Sequence, residues 1–186
     1  MKLLTIESGK ANMLGLLYSL PAILLFGGLY FLLWHQQTDL LQELKAIKSN
    51  STFALLLVIL FVVFHELLHA LAYLVLKKGD YKNIRFGIIW RSLTPYCHYA
   101  RPVKVWQYRV ALALPGIVLG VLPLTYALAT GNFPLFVFAL MMTLGALGDL
   151  LILLLLRKEP ANALVKDHPK DIGCIILENA EEEQTQ

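Results

Sequence analysis

Four acidic or imidazole side chains stand inside otherwise apolar stretches of this 186-residue chain: His65, Glu66, His69 and Asp149. Each costs about 2.5 kcal/mol or more when placed in hydrocarbon, so each is a functional candidate by default. The first three belong to His65-Glu66-Leu67-Leu68-His69, an H-E-x-x-H sequence. On a helix, positions i and i+4 differ by about 40° around the axis and ~6 Å along it, so both imidazoles reach one ion. Glu66, one step round, is set to polarise a water as general base without being a ligand itself. A catalytic Zn²⁺ needs a third protein ligand and an open position. Asp149 fits that role by depth. His69 precedes Lys77 by eight residues and Asp149 precedes Arg157 by eight. If both cations mark the same membrane face, both groups lie ~12 Å below it by helix rise.

Other readings of the quartet are a structural ion pair between a carboxylate and a protonated histidine or, for Asp149, helix pairing. A solvated helix face, the usual alternative for H-E-x-x-H in a soluble protein, is not available inside an apolar run. Other chemistries fit less well. Asp149 has no aspartate partner in another apolar run, G-x-S-x-G is absent, and no glycine-rich phosphate loop occurs. Cys97 and His98 lie in a basic loop and read as packing or surface residues, as do His35 and His168.

The elements that must position these residues are membrane spans. The chain is 58% hydrophobic, with apolar runs at about 13–34, 53–76, 110–130 and 133–156. Each is long enough to cross the ~30 Å hydrocarbon layer as a helix. The expected fold is an all-α membrane protein, with residues 1–186 forming one polytopic domain of four transmembrane helices. Residues 35–51 form a short outlying helix. In the central loop Ile84, Phe86, Ile88 and Trp90 alternate with other residues, a period-two strand pattern. With a turn at Thr94–Pro95 and a second strand from Tyr96, this predicts a small β-hairpin between spans two and three. The polar tail 157–186 is read as disordered at its tip, and no internal repeat is visible. Two cysteines are too few for a disulfide framework.

Of 16 Lys and Arg residues, all but Lys45 and Lys48 fall in the N-terminus, the central loop or the tail. This asymmetry predicts a multi-pass protein of the cytoplasmic membrane with both termini in the cytoplasm. The net charge of +3 therefore reflects topology and gives no reason to expect nucleic acid as a partner.

The sequence resembles a small bacterial membrane family of unknown function whose members are described as putative zincin peptidases, distantly similar to site-2 proteases. The resemblance runs from about residue 55 to 175. It is carried by His65 to Ala70, by Pro95-Tyr96-Cys97-His98 with Pro102, and by Pro115, Gly120 and Pro123. Gly148–Asp149, Asp167-His168-Pro169 and Gly173–Cys174 complete it. It implies that His65, His69 and Asp149 hold zinc, that Glu66 is the catalytic base, and that the strand Ile84–Trp90 holds an extended substrate. The aspartate here sits in Gly-Asp-Leu, where site-2 proteases carry Leu-Asp-Gly. The expected activity is that of an intramembrane zinc metalloprotease cleaving membrane-associated peptide substrates. The alternatives are a zinc hydrolase of a non-peptide substrate and a non-catalytic metal-binding or transport protein.

Overall fold

A computed structural model describes residues 1–89, 94–168 and 172–177. Strand β1 (Lys2–Ile6) leads into helix α1 (Ser8–Trp34), the short α2 (Leu40–Ser49) and the long α3 (Ser51–Leu76). The hairpin β2 (Ile84–Ile89) and β3 (Thr94–Tyr99) follows, then β4 (Val103–Lys104) and α4 (Val105–Pro115). A π-helical stretch, Gly116–Val121, joins α4 to α5 (Leu122–Thr130). Helices α6 (Phe133–Gly145) and α7 (Leu147–Leu156) precede β5 (Leu164–Asp167) and β6 (Ile172–Leu177).

Among the described residues three continuous helices are long and apolar enough to cross a membrane: 13–34 within α1, α3, and 105–130. Their surfaces are the inverse of a soluble helix, with Leu16, Leu24, Leu32, Leu55 and Leu56 turned outward. Water would penalise such exposure and lipid does not, so this is a membrane protein. The third of these helices begins five residues earlier than the sequence suggested. Arg109, counted there as a loop residue, donates to the carbonyls of Leu156 and Glu159. Its charge is thereby satisfied at the C-terminal end of α7, where a helix favours a cation.

The expected fourth span is a bent pair. Helices α6 and α7 meet at a 42° angle around Ala146 and are long and apolar enough to cross a membrane only as a pair. At the other end of α6, Gly131 adopts φ 72° to end α5, and Asn132 caps α6 by accepting from the Leu135 N–H. Tyr30 and Trp34 of α1 donate to the carbonyls of Gly131 and Leu128, docking α1 on this turn.

The expected hairpin is present; residues 90–93, Trp90 among them, lie outside the described residues. Thr94 and Pro95 belong to β3 and do not form the turn. The all-α expectation needs a further correction. Strands β1, β6, β5 and β4 form a four-stranded antiparallel sheet in that order, joining the N-terminus, the central loop and the tail. The tail therefore contributes the two strands β5 and β6, and its tip from 178 on lies outside the described residues. Val103, Val165, Cys174 and Ile176 of this sheet pack with Tyr73, Tyr108, Ala111 and Leu156 into one core beneath the quartet.

Candidate metal centre

Helix α3 carries His65, Glu66 and His69 on adjoining faces. The two imidazoles meet edge to face with ring centroids 4.9 Å apart. One donor atom from each of the three residues lies within 4.8 Å of the others, a spacing that suits a single ion. Asp149 reaches the same point from α7. Its Oδ2 lies 3.0 Å from His65 Nε2 and 3.5 Å from His69 Nε2. The break after Gly145 helps to explain its presence there. A new helix starts at Leu147, so Asp149 falls in the first turn of α7, where uncommitted N–H groups favour an anion.

Both histidine rings are held from behind or beside. His69 is buried, and its Nδ1 donates to the Ala111 carbonyl of α4 at 2.8 Å. A neutral imidazole that spends its proton on Nδ1 keeps a lone pair on Nε2, the atom facing Asp149. Two imidazole nitrogens and a carboxylate oxygen on facing helices are donor types that catalytic zinc sites use. The residues present fit the ion.

Glu66 is engaged by the hairpin, since the Cys97 backbone N–H is directed at its carboxylate. The register explains why that N–H is available. Ala100 N–H donates to Asn83 O, and Ile84 pairs with Tyr99. Hydrogen-bonded pairs alternate along an antiparallel ladder, so the backbone groups of Pro95, Cys97 and Tyr99 turn away from β2. Pro95 has no N–H to leave unpaired on that edge. Strand β3 lies against α3, while β2 carries the exposed Phe86 and Ile88. The base of the hairpin is fixed to the end of α3. Tyr99 stacks on Tyr73 and donates to Asp80 at 2.6 Å, and Asn83 donates to the same carboxylate. The Tyr99 hydroxyl and the Asn83 amide hold the Asp80 carboxyl below its usual range.

The sequence reading missed three contributors: the Ala111 carbonyl, the Cys97 N–H and Asp167. Two are backbone groups and carry no residue-type signal. Asp167, at the end of β5, accepts from the buried Tyr108 hydroxyl, one turn before Ala111 on α4. Burial pushes the Asp167 carboxyl upward. A tail residue thus ties the terminal sheet to the helix that orients His69. The remaining histidines stay outside the cluster: His98 stacks on Tyr96, and His35 bonds to the Phe31 carbonyl. A mainly apolar groove of about 210 Å³ between α4 and the α6–α7 bend has Asp149 in its wall, beside Leu112, Gly116, Ala146 and Leu150.

No curated protein and no solved structure matches the chain. A family model described as "Putative zincin peptidase" matches residues 58–164, which include the whole quartet. The name zincin implies Zn²⁺ and agrees with the His-Glu-His group of α3; the chain belongs to this family, described as putative zincin peptidases.

Proposed function

We propose that this protein is an intramembrane zinc metallopeptidase that hydrolyses peptide bonds of membrane-associated substrates. The observation that carries the reading is the convergence of His65, His69 and Asp149 from two helices on one point, with Glu66 alongside. Three roles follow. His65 Nε2, His69 Nε2 and an Asp149 carboxylate oxygen hold the ion. When bound, Zn²⁺ polarises the scissile carbonyl and makes a water acidic near neutral pH. Glu66 takes a proton from that water and returns it to the leaving nitrogen. The Cys97 N–H, directed at the Glu66 carboxylate, would hold it in place for that role.

A helical substrate hides its amides, so the cleaved segment must be extended. The outward edge of β2, with Ile84, Phe86 and Ile88, suits strand addition. The groove beside Asp149 offers an apolar approach from the side. Pairing within the terminal sheet supports a common side for the N-terminus, the central loop and the tail. Four crossings then follow if α6 and α7 act as one span, and the Lys and Arg distribution favours the cytoplasm for that side.

The experiment is metal content of detergent-purified protein beside hydrolysis of a membrane-anchored peptide reporter. Wild type is expected to carry about one zinc per chain. His65→Ala loses it, and Glu66→Gln keeps it while hydrolysis stops. Wild type without stoichiometric zinc, or Glu66→Gln with full activity, refutes the reading.

A further inference from the structure

In an α-helix each carbonyl accepts from the N–H four residues on. For Ala111 that position is Pro115, which has no N–H. The proline ring also crowds the carbonyl of residue i−4 and tilts it off the helix axis. Ala111 is fully buried, so water cannot serve its carbonyl. A buried carbonyl without a donor is unfavourable, and such groups find partners elsewhere in nearly all proteins. Here the partner comes from another helix: His69 Nδ1, at 2.8 Å.

We infer that Pro115 is a positioning residue for the metal centre. By withholding one N–H from α4 it leaves the Ala111 carbonyl to fix the ring plane and tautomer of His69. The consequence runs along named atoms. With Nδ1–H committed to Ala111, Nε2 is the His69 atom turned to Asp149 and left for the ion. A residue in place of Pro115 that carries an N–H draws the Ala111 carbonyl back to the helix axis and leaves His69 free to turn. Pro21 interrupts α1 by the same chemistry, but its i−4 carbonyl, on Leu17, serves no site residue. It is the internal control. The effect on affinity rests on reading the quartet as a zinc site; the effect on the ring does not.

The test uses full-length protein in detergent micelles with ¹⁵N-labelled histidine, in wild type, Pro115→Ala, Pro115→Val and Pro21→Ala. Valine restores the N–H while keeping most of the ring volume, which separates the hydrogen-bond effect from a cavity at this buried position. One readout is solvent protection of the His69 Nδ1 proton in the metal-free protein. The other is Zn²⁺ affinity by competition with a chelator. Both Pro115 variants are expected to lose the protected proton and to bind zinc about 10–100-fold more weakly, the usual effect of removing a ligand's outer partner. Pro21→Ala should match wild type in both. A protected Nδ1 proton and unchanged affinity in both Pro115 variants overturn the inference. If wild type takes up no zinc, the metal reading fails, and the Nδ1 proton alone decides the part played by Pro115.

Discussion

Replacing Asp149 by asparagine keeps the shape of the side chain and removes its charge. The two imidazole nitrogens stand 3.0 and 3.5 Å from Oδ2, so only the first makes a well-formed hydrogen bond. A hydrogen bond to a charged group contributes about 1.5–3 kcal/mol, and asparagine retains an acceptor. The metal-free protein should therefore lose about 1.5 kcal/mol, or roughly 3–6 °C in Tm for a chain of this size. The larger effect appears on adding metal. At a free zinc concentration of 100 times Kd, binding stabilises wild type by about 2.7 kcal/mol, a rise of roughly 5–11 °C. Loss of the anionic ligand, taken as a hundredfold drop in affinity, brings the same zinc concentration down to about one Kd. The stabilisation is then about 0.4 kcal/mol, or roughly 1–2 °C. Thermal unfolding in micelles with and without Zn²⁺ reads both effects. A zinc-dependent rise in Asp149→Asn equal to that of wild type would refute the assignment of this aspartate as a ligand.

Three further outcomes are expected. Tyr108→Phe takes the hydroxyl donor from Asp167, an expected loss of about 1–3 kcal/mol and a fall of roughly 2–12 °C in Tm; an unchanged Tm counts against the tie between tail and α4. Burial pushes the thiols of Cys97 and Cys174 up to about 12. At pH 8 their thiolate fraction is about a thousandfold below that of an ordinary thiol, so maleimide labelling should be slow in folded protein and accelerate as pH approaches 12 or on denaturation. Rapid labelling at pH 8 would contradict this. Gly173 has φ 138°, and a Cβ there would meet the Leu4 carbonyl oxygen at 2.1 Å. Gly173→Ala should strip hydrogen-exchange protection from Lys2–Ile6 while leaving α3 protected, and a protected β1 would show that the sheet tolerates the side chain.

The sequence displayed what local patterns can display. Apolar runs of fixed length located α1, α3 and the path from α4 to α7, and four misplaced charges marked the quartet. Period-two alternation located the hairpin. What it hid depends on long-range geometry. Strands β4 and β5 span two and four residues, too short for a periodic signal. Lys2–Ile6 becomes a strand by pairing with Ile172–Ile176 at the far end of the chain. Arg109 looked like a loop residue because its partners, the carbonyls of Leu156 and Glu159, lie 47 and 50 residues away. The bend at Ala146 has a local trace in Gly145 and Gly148, glycines that serve close helix packing equally well. A proline within an apolar run signals a kink; that Pro115 frees one particular carbonyl becomes visible only once α3 lies beside α4.

The sheet that joins the two ends of the chain also sets an order on its assembly. Strands β5 and β6 are near neighbours in sequence and can pair as soon as the tail is made. Strand β1 emerges first, yet Lys2 must wait for Ile176. For a free chain, closing a loop of about 170 residues costs roughly 4–5 kcal/mol of entropy, so β1 docks productively only after the intervening helices have shortened the search. During that interval β6 presents an open apolar edge, with Ile172, Ile175 and Leu177 beside unpaired backbone groups. Such an edge accepts any strand that reaches it. The vulnerable moment in the life of this protein is therefore the gap between synthesis of β6 and the return of β1, when neighbouring chains still in assembly compete for the same seat.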